Sequence, residues 1–139
     1  NKWFKEYNYF TTWHNLTDDE LKVKGYVDIT TALGRKVRAY SLNDALNFPI
    51  QGSSAEVTKT AVRYLYDRYE DPDIINVVHD SIALHVYEEQ AEMWKDRLNE
   101  CMVDAWFYVI KDQVIPDLPM PKEAEIKDRW SPIKEKKDD

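Results

Sequence analysis

Three polar residues in a row, His79-Asp80-Ser81, interrupt an otherwise apolar stretch of the chain. Residues 74–78 and 82–86 on either side are rich in β-branched types, so they read as two strands joined by a tight hairpin. Hairpin tips favour Asn-Gly, Asp-Gly or a Gly-led pair, because those residues accept positive φ. This tip holds no glycine. It sets the Asp80 carboxylate where a turn-former is expected, between strands apolar enough to be buried. A carboxylate on so rigid a support is a candidate ligand for a hard divalent cation. The plainer reading is a surface turn whose Asp bonds its own backbone. On these residues alone both readings stand.

A second polar group lies upstream. Asn47 and Gln51 flank Pro49, four residues apart, where a long helical pattern opens. Side-chain amides both donate and accept. The minor groove offers purine N3 and pyrimidine O2 acceptors whatever the base sequence. An amide pair reading that pattern would check base-pair shape without choosing a sequence. The alternative is local capping of a Pro-kinked junction. Gly52, Ser53 and Ser54 follow, small enough to admit a nearby backbone or DNA.

The two stretches together, N-x-P-I-Q-G-x-x-A-E at residues 47–56 and V-H-D at 78–80, resemble the C-terminal part of family-A DNA polymerases, the group of bacterial DNA polymerase I and its phage relatives. The resemblance runs from about Gly25 to Trp130. It implies a polymerase palm, with His79 and Asp80 as the last catalytic motif. By the same resemblance Asn47 and Gln51 contact primer–template DNA, and His79 sits beside the primer terminus. The implied reaction is attack of a primer 3′-hydroxyl on a dNTP, with two Mg²⁺ ions (Mn²⁺ as the alternative) offsetting charge on the attacking and leaving oxygens. Asp80 supplies one bridging carboxylate. Ser81 stands where many members carry Glu, and a hydroxyl can orient a bound water but not replace the charge. Asn43 stands where bacterial members often carry arginine, so no DNA contact is assigned to it. These departures favour a phage or similar mobile origin. The family draws its second carboxylate from an upstream D-Y-S-type strand, and none of Asp18, Asp28, Asp44 or Asp67 has that setting. The R-x₃-K and Y-G pattern that grips a nucleotide is not in this sequence either. The chain is therefore expected to be catalytically incomplete by itself, joined in the same or a companion chain to the fingers, the thumb and the rest of the palm. The competing expectation is a polymerase-derived interaction or regulatory module that has lost catalysis.

The elements that must position these groups read as follows. Residues 1–16 repeat aromatics at helical spacing, among them Trp3, Phe4, Tyr7, Phe10 and Trp13. Thr17 and Glu20 have the form of a capping box opening a short helix before Gly25. Residues 25–29 and 36–40 alternate apolar and polar around Gly34-Arg35, which predicts a β-hairpin. Its cations Arg35, Lys36 and Arg38 are either phosphate contacts to the duplex or a solvated face. Ser41 is the expected N-cap of a short helix that Pro49 stops or kinks, with a long helix then running to about Tyr69. Ile82, Leu84 and Val86 share one face of the second catalytic strand, and His85 reads as structural. A long amphipathic helix is predicted from Glu88 to about Lys111, with Cys101 a buried spacer in its apolar stripe. Pro116, Pro119 and Pro121 then break the chain, and residues 123–126 form a candidate edge strand. The expected fold is α+β: an antiparallel sheet with a catalytic β-hairpin and a closing edge, backed by two long helices.

The 139 residues suffice for a single domain over 1–139, with residues 131–139 a frayed tail. At 43% hydrophobic and 32% charged the chain is neither disordered nor membrane-spanning in type. It opens on Asn rather than Met and is expected to be a piece of something longer. One cysteine excludes an intramolecular disulfide and suits a reducing, cytoplasmic setting. The net charge of −7 opposes simple nucleic-acid binding, which favours a basic face. A palm that presents carboxylates to cations, with other subdomains supplying positive charge, is a partial exception.

Overall fold

A computed structural model describes residues 6–110 and 119–129. Trp3, Phe4, Lys111, Pro116, Trp130 and the tail at 131–139 lie outside the described residues. Helix α1 spans Asn8–Lys24 and stops at Gly25, whose φ of 77° places it in the left-handed region and whose N–H reaches the Leu21 carbonyl. The expected start at Thr17 is wrong. Thr17 is buried in mid-helix, and its hydroxyl donates to the Trp13 carbonyl at 2.8 Å. The helix already running before it takes that oxygen one turn back instead of leaving it free to cap. Glu20 pairs forward with Lys24 at 2.8 Å rather than back to a cap.

Strands β1 (Val27–Thr30) and β2 (Lys36–Ala39) pair antiparallel from Val27↔Ala39 to Thr30↔Lys36. Val27, Ile29 and Ala39 are buried with Ala45 of the next helix, and Leu21 of α1 packs against them. That helix, α2, runs unbroken over Leu42–Arg68. Ser41 caps it as expected, accepting from the Asp44 N–H at 3.2 Å. Pro49 lies inside it and neither ends it nor splits it in two. A proline within a helix costs about 3 kcal/mol. Here the turns on both sides are fixed by burial, Ala45 and Leu46 before the proline and Val57, Ala61 and Leu65 after it. Packing at both ends thus outweighs the local break.

Strands β3 (Ile74–Val78) and β4 (Ser81–Leu84) form a second hairpin, with a bulge between Ile74 and Asn76. A 3₁₀ turn at Glu88–Gln90 leads into helix α3, Ala91–Ile110. Helices α2 and α3 meet through Val57, Ala61, Ala105 and Val109. The two alanines, both 0% exposed, let the backbones approach closely. One turn further along, Leu65, Trp94 and Cys101 receive Ile74, Ile82, Leu84 and Val86 from the hairpin side. The predicted inward face of β4 is therefore the observed one.

The α+β class and the two backing helices hold, but the sheet differs from expectation. Among the described residues the strands form two separate two-stranded sheets, not one. Residues 123–126 are coil, not an edge strand. The Ala124 N–H is satisfied by the Asn99 side chain at 3.2 Å instead of by a strand. Each hairpin has its own floor: β1–β2 rests on α1 and the first turns of α2, β3–β4 on the later turns of α2 and on α3. Among the described residues no helix is long and apolar enough to cross a membrane.

Candidate active site

The polar tip is tighter than its sequence suggested. Val78 pairs with Ser81, so only His79 and Asp80 form the turn and Ser81 is the first residue of β4. His79 takes a φ of 54°. Non-glycine residues adopt this region uncommonly, histidine more readily than most. With no glycine at the tip, the imidazole-bearing residue absorbs the reversal. Asp80 follows it and is exposed. Among the described residues its carboxylate enters no ion pair and no hydrogen bond with a neighbour. The hairpin is not buried on all sides as expected, because Ile75, Val77 and Val78 remain 52%, 46% and 41% exposed. Among the described residues strand β3 has a sheet partner only along β4, and the helices cover the hairpin through Ile74, Ile82 and Leu84.

Asp80 and Ser81 also line a groove of about 570 Å³ between the hairpin, α3 and residues 120–129. Trp94 and Met102 supply apolar wall, and the cations Lys95, Lys127 and Arg129 are matched by Glu123 and Glu125, the latter paired with Lys127 at 2.9 Å. Among the described residues no three His, Cys, Asp or Glu side chains gather as a metal cluster. Asp80 thus offers hard oxygen ligands, open to solvent, without companions from this part of the chain.

Asn47 and Gln51 are both exposed on α2. They do not mark a helix start, as the capping alternative required, since the helix begins one turn or more earlier at Leu42. Four residues apart, they lie on one side of it, and Ser54 and Thr58 continue that row. Thr58 is buried, and its hydroxyl donates toward the His79 carbonyl at 3.4 Å. The row that starts at the amide pair therefore ends at the turn bearing Asp80.

The opposite flank of α2 holds the β1–β2 loop. Ser53 accepts the Ala32 N–H at 3.0 Å, and Glu56 accepts the Leu33 N–H at 2.9 Å and the Thr31 hydroxyl. A Cβ on Gly52 would lie 2.6 Å from the Thr31 Cγ2 methyl. The small residues after Gln51 thus admit this loop. Arg35 and Lys36 are exposed on the loop and at the start of β2. Arg38 does not join them. Its guanidinium bonds both Asp28 carboxylate oxygens, at 2.8 and 3.2 Å, and lies 3.9 Å from the Tyr26 ring centroid. The Arg38 hydrogen bond holds the Asp28 carboxyl below the usual carboxylate range, and Asp28 in turn raises Arg38.

Sequence reasoning named the turn, the amide pair and the cations Arg35, Lys36 and Arg38; the structure places all of them at the surface, with Arg38 taken up by Asp28. It missed Thr58 and the role of Glu56. Thr58 carries a readable signal, a hydroxyl set between the apolar stripe positions Val57 and Ala61. Glu56 carries none, because its partners lie more than twenty residues away. Two residues hold the structural places expected of them. His85 bonds Asp73 through Nδ1 at 3.0 Å and through its N–H at 2.9 Å, bracing the open end of the hairpin. Cys101 is 0% exposed, and burial raises its thiol pKa, which keeps it protonated.

The sequence that builds this arrangement is similar to known proteins of one family. The model of DNA polymerase family A matches residues 1–131. The chain is 36% identical over 135 residues to DNA polymerase I of Aquifex aeolicus (strain VF5), covering 94% of this chain and 22% of that protein. It is 29% identical over 119 residues to the thermostable DNA polymerase I of Thermus filiformis, covering 76% and 14%. It is 28% identical over 114 residues to DNA polymerase I B, chloroplastic/mitochondrial, of Arabidopsis thaliana, covering 73% and 11%. The chain thus spans less than a quarter of the length of these curated relatives. With the motifs in order and most of its length matched, the chain belongs to DNA polymerase family A.

Proposed function

We propose that this chain is the C-terminal part of the palm of a DNA-directed DNA polymerase, in which Asp80 supplies the last catalytic carboxylate. The observation that carries the reading is the placement of Asp80: open to solvent, on a two-residue turn tied to the helix that bears Asn47 and Gln51. Asp80 suits Mg²⁺ or Mn²⁺, which prefer hard oxygen ligands and retain bound water. A pair of such ions, when bound, offsets negative charge on the attacking and leaving oxygens of nucleotidyl transfer. The chain's own part is to hold that carboxylate still. His79, immediately before it, bonds at the primer terminus, and Ser81 orients water beside the carboxylate.

Asn47 and Gln51 read the minor-groove acceptors of the primer–template, which every base pair presents. Arg35 and Lys36, exposed and without a hydrogen-bonded carboxylate among the described residues, contact duplex phosphate, whereas Arg38 is taken up by Asp28. The second carboxylate, the grip on the dNTP and the thumb come from the remainder of the polymerase. The edge of β3, unpaired among the described residues, and its exposed Ile75, Val77 and Val78 support a contact with that remainder. The reading in which catalysis has been lost rests on the net charge of −7, on Ser81, whose hydroxyl carries no charge, and on the motifs this sequence lacks.

Replacing Asp80 with Ala in the polymerase that carries this chain separates the two. Incorporation should fall on the order of 10³-fold or more, with primer–template affinity largely kept. A variant that incorporates near the unmodified rate overturns the catalytic assignment. An unmodified protein that binds but never extends a primer supports the non-catalytic module.

A further inference from the structure

The Asp80 turn touches α2 through a side chain to which neither the family motifs nor the proposed chemistry gives a role. Thr58 is 3% exposed, between Val57 and Ala61 on a helix face that otherwise packs against α3. A hydroxyl buried there needs a hydrogen-bond partner. Two carbonyls are in reach, Ser54 at 3.5 Å and His79 at 3.4 Å. The Ser54 carbonyl already receives the Thr58 N–H in the helix ladder. The His79 carbonyl sits in a two-residue tip, beyond the last paired residues Val78 and Ser81. The Ser54 oxygen keeps a second lone pair, so the hydroxyl reaches both carbonyls, and His79 is the nearer at 3.4 Å against 3.5 Å. His79 also holds the positive φ of the turn, 54°. A non-glycine residue keeps such a backbone only where its surroundings over-determine it.

We infer that Thr58 is a positioning residue for the catalytic turn: its hydroxyl, bonded to the His79 carbonyl, fixes where the Asp80 carboxylate stands relative to the Asn47–Gln51 row. The inference rests on the polymerase reading and deepens it. If the amides hold the duplex and Asp80 meets the primer end, the distance between them must be constant. Thr58 is on the same helix row as the amides and is the side chain on it that grips the turn. It acts through the backbone of His79 and touches no reacting atom. Its loss should therefore change the rate of the step and leave binding alone.

The test uses three variants in the polymerase that carries this chain: Thr58→Val, Thr58→Ser and Asp80→Ala. Val keeps the shape and β-branching and removes only the hydroxyl. We expect Thr58→Val to lower kcat roughly 3- to 10-fold, the range one hydrogen bond commands, with the dNTP KM and the primer–template Kd unchanged. Thr58→Ser should restore most of the loss. Hydrogen–deuterium exchange supplies a readout apart from activity. Peptides covering residues 78–81 should exchange faster in Thr58→Val, while those from α2 and α3 keep their protection. Unmodified kcat and tip exchange in Thr58→Val, beside an inactive Asp80→Ala, sink the positioning role and leave the catalytic reading intact. Loss of protection throughout α2, or no recovery with Ser, also sinks it, because either marks ordinary core packing. If Asp80→Ala stays active, the polymerase reading falls first and this inference with it.

Discussion

The loop between β1 and β2 carries Gly34 at a φ of 86° and is fastened to α2 by Ser53 and Glu56. The turn between β3 and β4 puts a φ of 54° on His79 and is fastened by Thr58. The first hairpin buries Val27, Ile29 and Ala39 and offers cations; the second leaves Ile75, Val77 and Val78 exposed and offers an anion. The same supersecondary unit has thus been finished in two ways. Where a long loop only presents flexible charge, glycine takes the reversal and side-chain bonds hold the rest. Where, on the proposed reading, one carboxylate must stand at a fixed point, the reversal falls on His79 rather than on a glycine. Asp71, in the segment before β3, also holds a positive φ, 49°, so a strained reversal does not by itself mark a functional residue.

The sharpest way to break the comparison is at Gly52, where the first loop meets the helix. Gly52→Val should destabilise the protein by about 1–3 kcal/mol, the usual range for overpacking. The Thr31 methyl sits 2.6 Å from where a Cβ would be. Thr31→Ser removes that methyl and keeps the hydroxyl, so in the Gly52→Val background it should recover part of the loss in denaturant melts. Additive losses would show that the contact is not the cause. Glu56→Ala comes next. It removes the acceptor for Leu33 and Thr31 and should cost about 1–2 kcal/mol. It should also weaken duplex binding through the loosened Arg35 and Lys36, while Asp80-dependent turnover at saturating DNA stays near normal.

Opposite signs are expected at the two reversals. Gly34→Ala meets no atom within 4 Å, so its cost is purely conformational, about 1–2 kcal/mol at positive φ. His79→Gly relieves the same kind of cost and should leave stability equal or higher by up to about 1 kcal/mol, while turnover falls with the imidazole lost. Thermal melts of the two variants side by side check this, and a destabilised His79→Gly would remove the claim of strain.

The smallest effect is electrostatic. Asp28 has a folded-state pKa lowered by the Arg38 hydrogen bond. A lowered carboxyl pKa adds stability that is present above the unfolded value, near 4, and is lost as pH falls through the folded one. The β1–β2 hairpin should therefore loosen below about pH 4, and Asp28→Asn should abolish that dependence. The pair is fully exposed, so added salt should shrink the effect. Amide shifts of β1 and β2 followed through an acid titration measure it.

Much of this was legible without coordinates, for reasons of range. Ser41 caps α2 because its side chain needs only the N–H three residues on, and the inward face of β4 follows from alternation. Thr17 misled for the same reason: it looks like a cap to its neighbours, but the helix on its other side had already claimed it. Residues 123–126 alternate like a strand but have no strand to pair with among the described residues.

The amino-acid order alone determined the two hairpins, the helices' apolar stripes, the family motifs and the identity of the exposed turn residues, because each depends on side chains within a few positions of one another. Tertiary structure decided that α2 passes through Pro49 unbroken, that the small residues beyond Gln51 admit Thr31, and that a buried Thr58 reaches the His79 carbonyl. Those outcomes balance a local penalty of about 3 kcal/mol or less against contacts from segments far away in the chain, and only the packed arrangement fixes which contacts exist.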